Sequence, residues 1–543
     1  MIRTLGETVR EVTMATDAES RKDASASWSD SVDEIERRRE LAGRMGGEER
    51  VARQRAQGKL TIRERIDGFL DAGSFFEVGG MAGTGEYDAD GRLTGFIPAG
   101  YVLGLGTVDG REVCVGGEDF TVRGGSGGGG KGPGRWLQPA ALQRRIPLIQ
   151  FADGAGASAR SYDDAGRMHL PDGNQWARDA ELLSKVPVCS AIVGPSAGHV
   201  AGRAVLSHFS VMVRGQGQVF AAGPPVVKRA IGEDLTKEEL GGVGVHVRTS
   251  GVVDNEADDE EDAFRQIRAF LSYMPQNVWE MPPRAPAGDP ADRREESLLS
   301  IVPRDRTRWY DMRQLIGHVV DGGEFFEMRR SFGRSLITGF ARFDGYPVGV
   351  IANDPKVYAG AMTADSADKQ THFVDLCNTF SIPVVLFVDV PGFMIGSRSE
   401  REGVMRAGMR AVVAGSTATI PSIAIQVRKS YGMAGDAASC LGGPGALKMR
   451  FGWPSGEWGS IPIEGGVAAA YRREIENADD PEARRAEIEE RLLQGRSPFK
   501  VAEAFEVLDI IDPRETRPII CRFIESAQET LRRNLGPKGP VRP

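Results

Sequence analysis

At 543 residues the chain exceeds the usual size of a single domain, so more than one is expected. Hydrophobic residues at 41% and charged residues at 27% suit a globular protein, and a net charge of −8 argues against a broad nucleic-acid-binding face. Five scattered cysteines and six scattered histidines, without CxxC, HxxxH or HExxH spacing, argue against a disulfide framework or a structural metal site. No apolar run is long enough to span a bilayer and no secretory segment is seen, so no membrane association and a cytoplasmic location are expected.

In chain order, residues 1–30 are polar and read as a loose tail, while Ser31 to Gln57 is charged with a helical pattern. The chain then repeats itself. Asp71-Ala72-Gly73-Ser74-Phe75-Phe76-Glu77 returns as Asp321-Gly322-Gly323-Glu324-Phe325-Phe326-Glu327. Val108-Asp109-Gly110 returns as Phe343-Asp344-Gly345, and the run from Ile146-Pro147 to Asp153 returns as Ile382-Pro383 to Asp389. Val186-Pro187, leading to Ser196–Ala201, returns as Ile420-Pro421, leading to Ser430–Gly435. The last three pairs are about 235 residues apart and the first 250, so an insertion or deletion separates them. Four matches in one order predict two similar domains in tandem, over 31–280 and 301–543. The proline-rich, charged stretch 281–300 reads as a linker between them.

Within each repeat, a short β-branched run such as Val384–Val388 predicts a buried strand, a glycine-containing loop follows, and a segment such as Gly403–Ala414 predicts an amphipathic helix. Strand, glycine loop and helix in succession imply an α/β layer architecture. Amides at such helix starts are unpaired and can face a developing negative charge. Two loops fit: Asp153-Gly154-Ala155-Gly156-Ala157-Ser158 and Tyr431-Gly432-Met433-Ala434-Gly435-Asp436. Tight strand-to-helix turns without a ligand would read the same way. Gly125–Gly132 nearly matches a phosphate-binding GxxxxGK[ST] loop, but Gly132 replaces the hydroxyl that would ligate magnesium. A flexible loop is the expectation there, with Lys131 available for a substrate phosphate. Ala446-Leu447-Lys448-Met449 resembles the setting of a biotinylated lysine, but its surroundings do not read as a biotin domain, so no biotin is expected on this chain. His199, Tyr431 and Asp436 are the notable functional side chains near the loops, although a lone histidine is more often structural than catalytic.

Longer motifs carry a resemblance. Gly46–Arg50, Gly58–Ile66, Asp119–Ser126, Glu239–Gly242 and Phe387–Phe393 are similar to the carboxyltransferase (β) subunits of biotin-dependent acyl-CoA carboxylases, over about residues 35 to 530. Val388–Phe393 resembles the propionyl-CoA and acetyl-CoA carboxylases. Ala222–Lys228 and Tyr431-Gly432-Met433 look more like methylcrotonyl-CoA carboxylase. The resemblance implies tandem crotonase-like domains, a homo-hexamer, and active sites between the N-domain of one subunit and the C-domain of another. It implies a biotin carboxylase partner that brings carboxybiotin on a separate carrier, with coenzyme A as part of the acyl-CoA substrate. By resemblance the Gly156 and Ala157 amides hold the thioester enolate and those of Met433 and Ala434 the biotin oxyanion. Biotin itself takes the α-proton, and Asp436 lies beside the acyl pocket, with Gly198, His199, Tyr431 and Gly432 lining the site.

The chain also departs from the family. Ala155 stands where the family has glycine, His199 interrupts an Ala-Gly-Gly-Ala loop, and Gly127–Gly134 replaces a helical segment. The expected activity is carboxyl transfer to the α-carbon of an acyl-CoA. The alternatives are an acyl-CoA decarboxylase or transcarboxylase using the same enolate chemistry, and a non-catalytic assembly subunit.

Overall fold

The computed structural model describes residues 27–126, 132–157, 166–167, 174–439, 441–493, 495–539 and 541. Of the tail expected to be loose over 1–30, residues 1–26 lie outside the described residues, as does most of Gly127–Gly134, while Ser29 and Asp30 already belong to a helix. The charged stretch expected as one helical segment forms two helices, α1 (Ser29–Gly43) and α2 (Glu48–Ala56). Left-handed backbone at Met45 and Gly47 breaks it, and the Gly46 N–H bonds the Thr121 hydroxyl at 2.9 Å. α3 (Ile62–Phe69) follows, with the Thr61 and Glu64 side chains capping each other's backbone amides.

The first sheet contains β1 (Phe76–Glu77), β4 (Tyr101–Val108), β5 (Arg111–Glu118), β6 (Leu148–Gly154), β7 (Val188–Ala197), β8 (Phe209–Val213) and β10 (Asn255–Ala257), in that order. β9 (Gln218–Phe220) pairs with β7, and β2 (Gly83–Tyr87) with β3 (Leu93–Pro98) forms a separate ribbon. The second sheet repeats the arrangement strand for strand: β11 (Phe326–Met328), β12 (Leu336–Phe343), β13 (Tyr346–Asn353), β14 (Val384–Val390), β15 (Ser422–Tyr431), β16 (Lys448–Gly452) and β18 (Asp509–Ile510), with β17 (Glu457–Gly459) on β15. In both, two antiparallel pairings precede the parallel ones. β6 and β14 are buried along their whole length, which explains why they read as continuous apolar runs.

The sequence repeat has a physical counterpart. The Asp71 carboxylate accepts the Asp109 and Gly110 amides at 3.0 and 2.9 Å, and Asp321 accepts those of Asp344 and Gly345 at 3.1 and 2.7 Å. Both Asp-Gly pairs are left-handed at both residues, as a two-residue hairpin requires. The Arg63–Glu77 fork recurs as Arg313–Glu327.

Flanking helices include α4 (Gly134–Arg144), α5 (Asn174–Leu182), α6 (His199–Val205) and α7 (Glu260–Tyr273) in the first half. α8 (Met312–Val319), α9 (Ala364–Thr379), α10 (Val404–Thr417), α11 (Gly432–Ser439) and α12 (Thr516–Arg533) belong to the second. Among the described residues no helix is long and apolar enough to cross a membrane. α7 is capped by Asp259 and buries Ala263, Phe264, Ile267, Phe270 and Leu271 against the sheet. Its Phe270 stacks on Phe209 at 5.1 Å between ring centroids and meets Phe340 of β12 edge-on at 6.0 Å, so one apolar core runs through both halves.

His208 sits under this core, fully buried. The Val188 N–H donates to its Nδ1 at 3.0 Å, and Nε2 lies 3.0 Å from the Leu183 carbonyl, so the neutral Nε2–H tautomer satisfies both. Burial pushes its pKa down to about 3. The unfolded chain takes up that proton near pH 6.5 and the folded chain does not, so stability should fall as pH drops below that value, by up to about 1.4 kcal/mol per pH unit from this residue alone. His208→Asn keeps one acceptor and one donor without a titrating group. Urea-unfolding midpoints between pH 7 and 4 should fall less steeply in the variant, and equal slopes would refute the assignment.

Candidate active site

The residues singled out in the sequence fall into two half-sites, one at the carboxyl end of each sheet. In the first, β6 ends at Gly154 and the chain turns through Ala155, Gly156 and Ala157. The Ala155 N–H donates to the Gly124 carbonyl at 2.9 Å, which accounts for the glycines of the Asp119–Ser126 motif: this segment packs directly on the loop. A side chain on Gly125 would come within 2.8 Å of the Asp153 carbonyl oxygen. Gly156 has φ +78°, and a Cβ there would lie 2.7 Å from the Ala197 oxygen. Ala155 has no such left-handed backbone, and its methyl is exposed. The departure at 155 therefore leaves the loop intact; the position that requires glycine is 156. The Gly156 and Ala157 amides donate to no backbone carbonyl among the described residues.

Beside this loop β7 ends at Ala197. Gly198, exposed and left-handed at φ +57°, opens α6, whose first residue is His199. The imidazole rests against the Trp176 indole of α5, ring centroids 4.4 Å apart. Burial and the neighbouring Arg203 guanidinium hold its pKa below the ordinary histidine value, so the ring is neutral at neutral pH. Arg203 is itself paired with buried Glu118.

In the second half-site β15 ends at Tyr431. Gly432, at φ +58°, opens α11. The first-turn amides of Met433 and Ala434 donate to no backbone carbonyl among the described residues. A side chain at Gly435 would come within 2.7 Å of the Ser430 hydroxyl, so the first turn must stay small. Met433 is half exposed, Ala434 is buried and Asp436 is exposed one turn into the helix. The Tyr431 hydroxyl donates to Glu457 at 3.1 Å, and Glu457 also pairs with Arg306 and Arg496 at 2.9 and 3.0 Å. Burial, ahead of the adjoining Glu457 charge, raises the Tyr431 pKa, so the phenol stays protonated.

The fold adds what composition does not show. Gly198 and Gly432 occupy the same place in the two repeats, so the counterparts of Met433 and Ala434 are His199 and Val200. Gly156 and Ala157 instead correspond to Gly392 and Phe393, after β14. The signal was present in the spacing from Ser196 to Ser430. Lys131 lies outside the described residues. Lys448 starts β16, which runs parallel to β15, and its ammonium bonds the Gly442 carbonyl at 2.9 Å; it is not on a hairpin tip.

A doubly repeated α/β sheet with amide-rich turns at the carboxyl ends of its strands is the architecture expected of a crotonase-like carboxyltransferase. The carboxyl transferase domain family matches residues 53–539, and the chain belongs to it. It is 38% identical to a propionyl-CoA carboxylase carboxyltransferase subunit of Haloferax mediterranei, over 90% of this chain and 94% of that protein. It is 35% identical to a methylmalonyl-CoA decarboxylase subunit alpha of Veillonella parvula, over 91% and 94%. A crystal structure of the transcarboxylase 12S hexamer, with methylmalonyl-coenzyme A and methylmalonic acid bound, superposes with a TM-score of 0.83 at 33% identity, covering 95% of this chain and 98% of that one. The protein is thus an enzyme of acyl-CoA carboxyl transfer, built on two crotonase-like domains.

Proposed function

We propose that this chain moves a carboxyl group between biotin on a separate carrier protein and the α-carbon of an acyl-CoA. The observation that carries the reading is the pair of half-sites, each offering backbone amides at the end of a sheet. Removing an α-proton from a thioester places charge on its carbonyl oxygen, and fixed N–H donors stabilise that charge without reorganising. The Gly156 and Ala157 amides hold the thioester oxygen, with the first turn of α6 alongside: Gly156 packs on the Ala197 carbonyl that leads into Gly198 and His199. The His199–Trp176 pair borders this half-site and limits the acyl group, and Lys131 serves the CoA phosphates.

The second half-site fits the biotin ureido group: two amides without backbone acceptors among the described residues, a first turn kept small at Gly435, and Met433 as an apolar shoulder. Met433 and Ala434 would hold the ureido oxygen, Tyr431 and Gly432 shape the approach, and Asp436 faces the acyl chain. When carboxylated, biotin supplies the carboxyl group. In this reading the α-proton passes to a group that the substrates bring, biotin itself. The active unit in this reading is a homo-hexamer that joins the first half-site of one subunit to the second of another; transcarboxylase 12S, which this chain resembles, is a hexamer.

The test combines this chain, a biotinylated carboxylase subunit, ATP, labelled bicarbonate and a panel of acyl-CoAs. Label fixed into one acyl-CoA is expected and names the substrate. The similarity to a decarboxylase subunit favours one further arm, incubation with methylmalonyl-CoA without ATP. Carbon dioxide release there, with no fixation in the first arm, would overturn the forward direction.

A further inference from the structure

The two half-sites share a device that the backbone amides alone do not explain. Asp153 and Asp389 stand at the same place in the two repeats, each fully buried near the end of its strand. Each also stands opposite a bulge. Ala152 pairs with Ile192 and Gly154 with Ser196, so Asp153 alone faces Val193, Gly194 and Pro195. Val388 pairs with Gln426 and Val390 with Ser430, so Asp389 alone faces Val427, Arg428 and Lys429. Both bulges lie just before the glycine that opens the helix, Gly198 or Gly432. They set where that helix starts.

Each carboxylate receives two cations, by different routes. In the second half they come from the bulge itself: Arg428 Nε at 3.1 Å and Lys429 Nζ at 2.5 Å, joined by the Lys429 amide at 3.1 Å and the Tyr310 hydroxyl at 3.0 Å. In the first half the corresponding bulge positions are Gly194 and Pro195, which carry no charge, and Pro195 has no N–H to give. Lys59 Nζ at 2.6 Å, from the segment before α3, and Arg65 Nη1 at 3.0 Å, from within it, supply the charge instead. A side chain at Gly194 would come within 1.9 Å of the Asp153 carboxylate and 2.6 Å of Lys59 Nζ, so the missing side chain leaves room for the carboxylate and the lysine together. Arg65 is shared with buried Glu260. An aspartate that merely neutralised an inherited cation would not keep its place while the cations moved. The repeats draw the lysine and the arginine from different places in the chain, while the carboxylate and the bulge it faces stay.

We infer that Asp153 and Asp389 are paired positioning residues, each set against the bulge that shapes one half-site: Asp389 for biotin, where the bulge leads straight to the Met433 and Ala434 amides, and Asp153 for the acyl-CoA, where it places the Ala197 carbonyl on which Gly156 packs. The inference rests on the proposed assignment of the half-sites. Its mark is a split in substrate dependence. Asp389→Asn should raise KM for free biotin about tenfold and leave KM for the carboxyl-CoA within about twofold; Asp153→Asn should do the reverse, because a shift of about 1 Å in donor position costs up to 100-fold. The assay uses the full-length chain, free biotin and the carboxyl-CoA that the wild type decarboxylates, with hexamer size and circular dichroism as folding controls. Should either variant fail to fold, Lys59→Met and Tyr310→Phe keep the carboxylates and are expected to show the same split in weaker form. A merely structural role would lower kcat or the active fraction and move both KM values together; that outcome in an active wild-type background overturns the inference. A wild type inactive with biotin and every carboxyl-CoA overturns the half-site assignment, and the inference with it.

Discussion

Gly156→Ala is expected to lower kcat/KM about 100-fold, the effect of losing one fixed donor to a developing oxyanion. The backbone at 156 is left-handed at φ +78°, where a Cβ costs about 1–2 kcal/mol, and that Cβ would lie 2.7 Å from the Ala197 oxygen. The carbonyl opposing it belongs to the strand that leads into Gly198, so relief comes from moving the loop and turning its amides. The loop lies at the end of the sheet, outside the shared core, so the fold should survive. Ala155→Gly is the internal control, one residue away and in ordinary backbone. It should change kcat/KM by less than about threefold, because no donor moves. Steady-state kinetics beside thermal melts of both variants decide the matter. A Gly156→Ala enzyme with full activity would remove this loop from the mechanism, and an Ala155→Gly enzyme with a changed KM would return the departure at 155 to the acyl pocket.

Much of the fold was legible because the repeat preserves groups that bond locally. Asp71, Asp109-Gly110 and their counterparts Asp321 and Asp344-Gly345 define hairpins through short-range hydrogen bonds, and those residues stand out in the chain. The runs from Ile146 to Asp153 and from Ile382 to Asp389 are apolar because β6 and β14 are buried on both faces. The break between α1 and α2 was less visible, since it depends on Thr121, 75 residues away, receiving the Gly46 amide. The loops Gly154–Ala157 and Tyr431–Asp436 read alike, both small residues after a strand. The fold nevertheless puts them at non-equivalent strand ends, since composition carries no strand order. The bulges opposite Asp153 and Asp389 were out of reach for a similar reason. A bulge is a mismatch between two strands about 40 residues apart, and neither strand shows it alone. The same holds for the Tyr431–Glu457–Arg496 cluster, whose members meet only once β17 lies on β15.

Arg329→Met should be the most destabilising single change at the junction of the two halves, by about 3–5 kcal/mol, the cost of leaving one member of a buried ion pair alone. Asp254, buried just before β10 of the first sheet, accepts Arg329 Nε at 2.6 Å and the amide and hydroxyl of Ser210 at 2.8 and 2.9 Å. Arg329 follows β11 of the second sheet. Its amide donates to the Asn255 side chain at 3.0 Å, and its carbonyl accepts buried Lys369 at 2.8 Å. Burial alone would raise the Asp254 pKa, but the Arg329 guanidinium, with help from His372, outweighs it and holds the carboxyl below the usual aspartate value. The folded pKa is depressed, so this contribution is present above the unfolded value and lost as pH falls through the folded one. In Arg329→Met burial acts with that opposition removed, and Asp254 should protonate at higher pH than in the wild type. The stability gap between the two proteins should therefore be widest near neutrality and narrow on acidification. Asp254→Asn in the same background should recover part of the loss, because a neutral amide needs no counter-ion, and the double-mutant cycle isolates that coupling. Denaturant unfolding at pH 7 and pH 5 measures both effects. A gap that does not change with pH, or a double variant no more stable than Arg329→Met alone, would show that Arg329 acts there through packing and not through its charge.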